Sequence, residues 1–224
     1  MNTFWKIAAI VALAATIVIN ALANILPFNN LTTGEISNSI NSFFTPAAYV
    51  FTIWTLIYVL LVGFVVFQAL PSQQKNAALR RVRPWFVLSC AANGVWMFLW
   101  HYEFFAGSVV AMLVLLGSLI MAYQAVLRQK KFSRNEWLLI KAPFSIYLGW
   151  ITVATVANIS TALVVYDWSG WGIAPQNWAI VMICIAAALA VLALFFRRDY
   201  LYAAVIVWAL IGIGVEFAGY AGIT

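Results

Sequence analysis

The sequence predicts an all-α fold: a polytopic membrane helix bundle with seven transmembrane helices. Three observations predict it. Hydrophobic residues make up 66% of the 224-residue chain and charged residues only 8%, more apolar surface than a water-soluble domain of this size can hide, so the bilayer is the solvent. Seven apolar stretches are each long enough to cross as a helix, and none shows the alternation of a membrane barrel strand. All twelve lysines and arginines fall on one side of a seven-span arrangement, which the positive-inside rule makes cytoplasmic. The charge pattern accounts for the net +6 without nucleic acid as a partner.

The expected spans run over roughly 4–26, 46–70, 84–101, 104–127, 137–165, 178–196 and 200–221. The first carries Lys6 and an apolar run from Ile7 to Val18. With the "ALA" of Ala21–Ala23 this imitates a secretory signal, and it is read here as span one. Lys75, Arg80, Arg81 and Arg83 are expected between spans two and three. Arg128, Lys130, Lys131, Arg134 and Lys141 lie around the next inner turn, and Arg197 and Arg198 join spans six and seven. The expected setting is therefore the inner or plasma membrane, with lipid as a partner, the N-terminus cytoplasmic and the C-terminus outside. Cys90 and Cys184 fall at different depths, which argues against a disulfide between them.

Polar residues inside spans carry the functional information, because each unpaired group is costly in hydrocarbon. Asn20 and Asn24 share a face near the outer end of span one. Asn93 and Asn158 fall in the outer halves of spans three and five, His101 ends span three, and Glu216 is near the outer end of span seven. Any single Asn reads as an interhelical hydrogen bond. Several at one depth read as a polar-lined cavity, with the Asn/Ser/Thr-rich loop from Pro27 to Thr45 above it. Trp5, Trp85, Trp137, Trp168, Trp171 and Trp178 fit an interfacial aromatic belt. Trp54, Trp96 and Trp150 lie too deep for one, and with Tyr49 and Tyr147 they form a slot suited to a flat, mostly apolar ligand.

Three patches, "PAAYVFTIWTLIY" (Pro46–Tyr58), "LSCAANGVWMFLW" (Leu88–Trp100) and "YLGWITVATVAN" (Tyr147–Asn158), resemble in order the second-, third- and fifth-helix patterns of the TspO/MBR family. These are the tryptophan-rich sensory proteins, which include the mitochondrial translocator protein. The likeness is greatest to the longer, seven-span bacterial relatives. It implies a TspO-like five-helix core over 1–166, followed by an outer loop and two additional transmembrane helices over 167–224. The chain departs from the pattern where Ala47 follows Pro46 in place of a second proline, and where Tyr49 stands at a usual Trp. No Lys or Arg follows span five after Tyr166, so the sterol-type motif of animal members has no counterpart.

The resemblance implies a pocket among helices one, two, three and five for porphyrin-like or other flat hydrophobic small molecules. Protoporphyrin IX or haem is the tetrapyrrole to expect, with no cofactor required. Carried over position by position, the lining residues are Tyr49, Phe51, Trp54, Asn93, Trp96, Trp100, Tyr147, Trp150, Ala154 and Asn158, with Asn20, Asn24, His101 and Glu216 as a surrounding polar cluster. Binding, sensing or transport is the first expectation. A light-dependent porphyrin-degrading activity, with Trp54 and Trp150 as its candidates, is an alternative implied by the resemblance. An ion-coupled transporter using Glu216 is another. No conventional catalytic set or metal-ligand cluster stands in the sequence. The small residues Gly212, Gly214, Ala218 and Gly219 favour close helix contact, read as packing of the last spans on the core in preference to a homodimer interface.

Overall fold

The computed structural model describes residues 2–26, 28–40 and 42–221. Pro27, at the start of the expected outer loop, lies outside the described residues, as does the packing of Gly219. The long helices among the described residues are α1 (Asn2–Ile25), α2 (Ile53–Ala69), α3 (Ala77–His101), α4 (Phe105–Leu127), α5 (Ala142–Val165), α6 (Pro175–Arg197) and α7 (Tyr200–Ala221). Among the described residues, six helices are long and apolar enough to cross a membrane. The expected seventh, α3, is as long as the others, but it carries Arg80, Arg81 and Arg83 in its first turns and Asn93 and His101 further on. The seven-span expectation is thus narrowed to six qualifying crossings, with α3 the polar exception.

That polarity follows from where α3 sits. It packs on α1 and on α4; α4 continues onto α5, and α2 closes the circle between α5 and α1. These five helices form a ring. α7 docks on α5 from outside, and α6 rests on α7. The ring's outer surface presents Val59, Val62, Val66, Val110 and Val114, among many exposed apolar side chains, to the hydrocarbon.

The basic end is held differently from the expected loop. Arg83 lies inside α3, 1% exposed. Its Nε donates to Gln68 Oε1 at 2.6 Å and its guanidinium to the Gln68 carbonyl at 3.1 Å. Gln68 Nε2 in turn donates to the Lys6 carbonyl at 3.1 Å, so α1, α2 and α3 are tied together. One turn deeper, Phe64, Phe86 and Phe144 meet edge to face with centroids 5.0 to 5.8 Å apart, a favoured aromatic geometry.

At the other end the chain enters α2 through an extended Ala47 and a 3-10 turn, Ala48–Thr52. Pro46 is buried, and its fixed φ suits the extended approach to that turn. The Ala47 N–H, which the turn cannot satisfy, donates to the Gly212 carbonyl of α7 at 3.1 Å. A Cβ on Gly212 would lie 2.0 Å from Val50 Cγ2, so only glycine permits this approach. Gly214, by contrast, has open space around it. Between α1 and the 3-10 turn, a short helix (Thr33–Ser39) is closed by a capping box between Thr32 and Glu35.

Candidate functional site

Two adjoining cavities lie within the ring, below the Thr33–Ser39 helix. The inner one, about 60 Å³, is walled by Phe51, Trp54, Asn93, Trp96, Trp100, Trp150, Ala154 and Asn158, with Thr33 and Ser37 above and Met112 of α4 behind. The second, about 520 Å³, is a groove between α1 and α2 lined by Asn20, Asn24, Tyr58 and Met97. Thr33, Phe51, Trp54 and Trp96 belong to both walls. The partition between the cavities is therefore made largely of aromatic side chains.

Helical spacing explains the convergence. Asn93, Trp96 and Trp100 recur at three and four residues along one face of α3, as do Trp150, Ala154 and Asn158 along α5. Trp96 and Trp100 stack with centroids 5.7 Å apart and planes at 27°. Trp54 meets Trp150 at 6.1 Å and 83°, and Phe51 meets Trp150 at 5.8 Å and 84°. Faces and edges of aromatic rings thus border the space from three helices.

Polar groups in the walls are mostly paired. Trp96 Nε1 donates to Asn158 Oδ1 at 3.0 Å, and Asn158 Nδ2 donates to Ser108 Oγ at 2.9 Å. On the opposite side, Asn20 Nδ2 donates to Asn93 Oδ1 at 2.8 Å, and Asn93 Nδ2 to the Tyr147 hydroxyl at 3.4 Å. Two buried side-chain polar atoms have no partner among the described residues: Trp150 Nε1 and the Tyr58 hydroxyl. Trp150 borders the inner cavity and Tyr58 the groove. Unpaired buried donors are costly and call for an acceptor.

The cover is tethered to these walls. Trp100 Nε1 donates to the Thr33 carbonyl at 3.3 Å. Thr33 Oγ1 lies 3.5 Å from His101 Nε2. Outside the spans, the Thr32 backbone N–H and then its hydroxyl hold the Glu35 carboxyl below its ordinary value.

Eight of the ten lining residues expected from the sequence border the inner cavity. Tyr147 stands behind them, 2% exposed and against Trp54 at 5.8 Å. Tyr49 faces outward, 40% exposed, with its ring edge-on to Trp208 of α7 at 5.2 Å. Asn20 and Asn24 border the groove. His101 is fully buried, its Nδ1 2.8 Å from the Met97 carbonyl and its ring under Phe28 at 5.7 Å. Glu216 is on an exposed face of α7, which is outside the ring, so it does not join the polar residues around the cavity.

Sequence reasoning missed the contributions of α4 and α7. Ser108 completes the Asn158 network and Met112 borders the cavity; a serine within span four at that depth was the available signal. Trp208 Nε1 donates to the Val50 carbonyl at 3.4 Å, so α7 braces the turn that carries Phe51. Among the described residues, no group of three or more His, Cys, Asp or Glu gathers as a metal site would, and Cys90 and Cys184 are free thiols.

No curated protein and no solved structure gave a match to the chain. At the level of families, the match is to the TSPO-like proteins and covers residues 6–221, running through α6 and α7 as well as the ring. With an all-helical bundle rich in membrane-length helices and a match over nearly its whole length, the chain belongs to the TSPO-like protein family.

Proposed function

We propose that this integral membrane protein binds flat, largely apolar ligands of the porphyrin class in the aromatic cavity, as a receptor or carrier. The observation that carries the reading is Trp150 Nε1: a buried donor without a partner, on a residue that lines a cavity walled also by Phe51, Trp54 and Trp96. A ring system with polar acceptors on its edge satisfies that donor while stacking on the indoles. The inner cavity alone, about 60 Å³, is too small for a tetrapyrrole. The groove, about 520 Å³, falls in the range of ligand pockets, about 300–1,000 Å³. Rotation of Trp54 or Phe51 merges the two. Ligand enclosure then depends on the partition side chains.

In the membrane, α3 makes the seventh crossing, shielded by its neighbours. The basic residues face the cytoplasm, and the cavity lies in the outer half of a cell membrane bundle. The first five helices act as the binding core, with α6 and α7 as an added pair. A reporter fused to the C-terminus is then active only outside the cytoplasm.

Titration of purified protein with protoporphyrin IX, following tryptophan quenching, tests the binding reading. Saturable quenching, weakened in Trp54→Leu, supports it; unsaturable quenching equal in both proteins contradicts it. The same samples under illumination test a second reading, in which Trp54 and Trp150, 6.1 Å apart, take part in light-driven porphyrin breakdown. Loss of porphyrin absorbance dependent on Trp150 favours that reading. Glu216, exposed on α7, gives the ion-coupled reading no comparable support.

A further inference from the structure

Asp199 stands in the tight turn between α6 and α7, after Arg198 in the left-handed conformation (φ 48°). It is 3% exposed. Its Oδ1 accepts from Ser145 Oγ of α5 at 2.5 Å and from the Tyr202 backbone N–H at 3.2 Å. Its Oδ2 accepts from the Tyr123 hydroxyl of α4. The Tyr202 hydroxyl donates to Thr152 Oγ1 at 3.1 Å, and Thr152 donates to the Leu148 carbonyl at 2.8 Å. Every hydroxyl hydrogen at this spot is therefore used. What is left over is acceptor capacity: a lone pair on Asp199 Oδ2, and lone pairs on the Tyr123 and Tyr202 oxygens.

Tyr123, Asp199 and Tyr202 line a cavity of about 330 Å³ whose other walls are mostly aliphatic, including Leu116, Ile120, Leu148 and Leu189, with Arg197 also on its lining. The cavity exists because α6 rests on α7 and buries little more than Ala186 and Ala190, leaving a gap towards α4 and α5. The hydrogen bonds to Asp199 all come from neutral donors, so its carboxyl group has no cationic hydrogen-bonding partner among the described residues and keeps room for a charged donor.

We propose that this cavity is a binding site for an aminophospholipid. The primary ammonium donates its N–H groups to Asp199 and the two tyrosine oxygens, the phosphate meets Arg197, and one acyl chain lies against the aliphatic walls. The chemistry excludes the alternatives in turn. A quaternary ammonium has no N–H to donate, and an anionic headgroup without an amine, such as phosphatidylglycerol, brings no cation to Asp199. A simple lipophilic amine leaves Arg197 without an anion. The volume takes a single chain, so the second chain of the lipid remains in the bilayer.

Native mass spectrometry of delipidated protein tests the site, with equimolar phosphatidylethanolamine, phosphatidylcholine and phosphatidylglycerol of matched chains. Phosphatidylethanolamine is expected to be retained on the order of tenfold over the other two, the size of one charge-assisted hydrogen bond. Asp199→Asn keeps an acceptor for the Tyr202 N–H but removes the charge, and abolishes the preference. Leu189→Trp fills the aliphatic part without touching the hydrogen bonds, and also abolishes it; this variant decides alone if Asp199→Asn does not fold. Equal retention of the three lipids, a preference for phosphatidylglycerol, or an unchanged preference in either folded variant overturns the proposal.

Discussion

The indole nitrogen of Trp96 donates to Asn158 Oδ1 at 3.0 Å, from α3 across to α5. That bond fixes the plane of a ring that walls both cavities. Asn158 is 2% exposed, so the bond is shielded from bulk solvent. Asn158→Ala leaves both Trp96 Nε1 and Ser108 Oγ with one partner fewer. The expected cost is about 1–3 kcal/mol of stability, together with weaker ligand quenching, read by thermal unfolding and titration of the same sample.

Gly212 is the corresponding point on α7. A methyl there collides with Val50, so Gly212→Ala must displace the 3-10 turn that carries Phe51. Overpacking of this kind costs about 1–3 kcal/mol, and ligand affinity falls with it. Gly214→Ala, two residues on with open space around it, is the control, with stability expected within about 0.5 kcal/mol of wild type.

The Gln68–Arg83 tie makes the opposite prediction for function. Gln68→Leu removes the acceptor of Arg83 Nε and the donor to the Lys6 carbonyl. Stability drops by about 1–3 kcal/mol. Porphyrin affinity of the folded fraction stays at the wild-type value, since none of these residues borders the cavity or the groove. A matching loss of affinity would mean that the basic end and the cavity are coupled.

The cover helix carries a pH dependence of known sign. The Glu35 carboxyl is held below its ordinary value of 4.5, first by the Thr32 N–H. A depressed carboxyl contributes its stabilisation above 4.5 and loses it as pH falls through the lower value in the folded chain. Trp100, whose Nε1 reaches the Thr33 carbonyl, reports this. Its emission is expected to change on acidification below 4.5, and Glu35→Gln is expected to abolish the change.

The periodic features of this fold were legible in the sequence. Apolar length gave the helices, and the spacing of Asn93, Trp96 and Trp100 gave a shared face. The details that escaped depend on tertiary contact. Tyr49 shares its turn with Phe51, yet it points to Trp208 of α7, a helix with no sequence link to that turn. Arg83 looked like a loop cation because charge is rarely buried; the Gln68 side chain and carbonyl, fifteen residues earlier, are among the acceptors that make its burial tolerable. Asp199, one residue beyond two arginines, gave no sign of the hydroxyls that converge on it from α4 and α5.

Trp150→Phe tests the central claim most directly, because it separates binding from folding. Trp150 Nε1 has no partner among the described residues, so losing it breaks no hydrogen bond there, and stability is expected to fall only by the packing lost with the smaller ring, about 1 kcal/mol. Protoporphyrin IX affinity is expected to fall roughly tenfold, the worth of a buried hydrogen bond formed only with ligand. Both are measured on one preparation, by thermal unfolding and by quenching of the remaining tryptophans. Weakened binding in a variant that stays folded with only that small loss of stability is the predicted result; unchanged affinity in the folded variant contradicts the account.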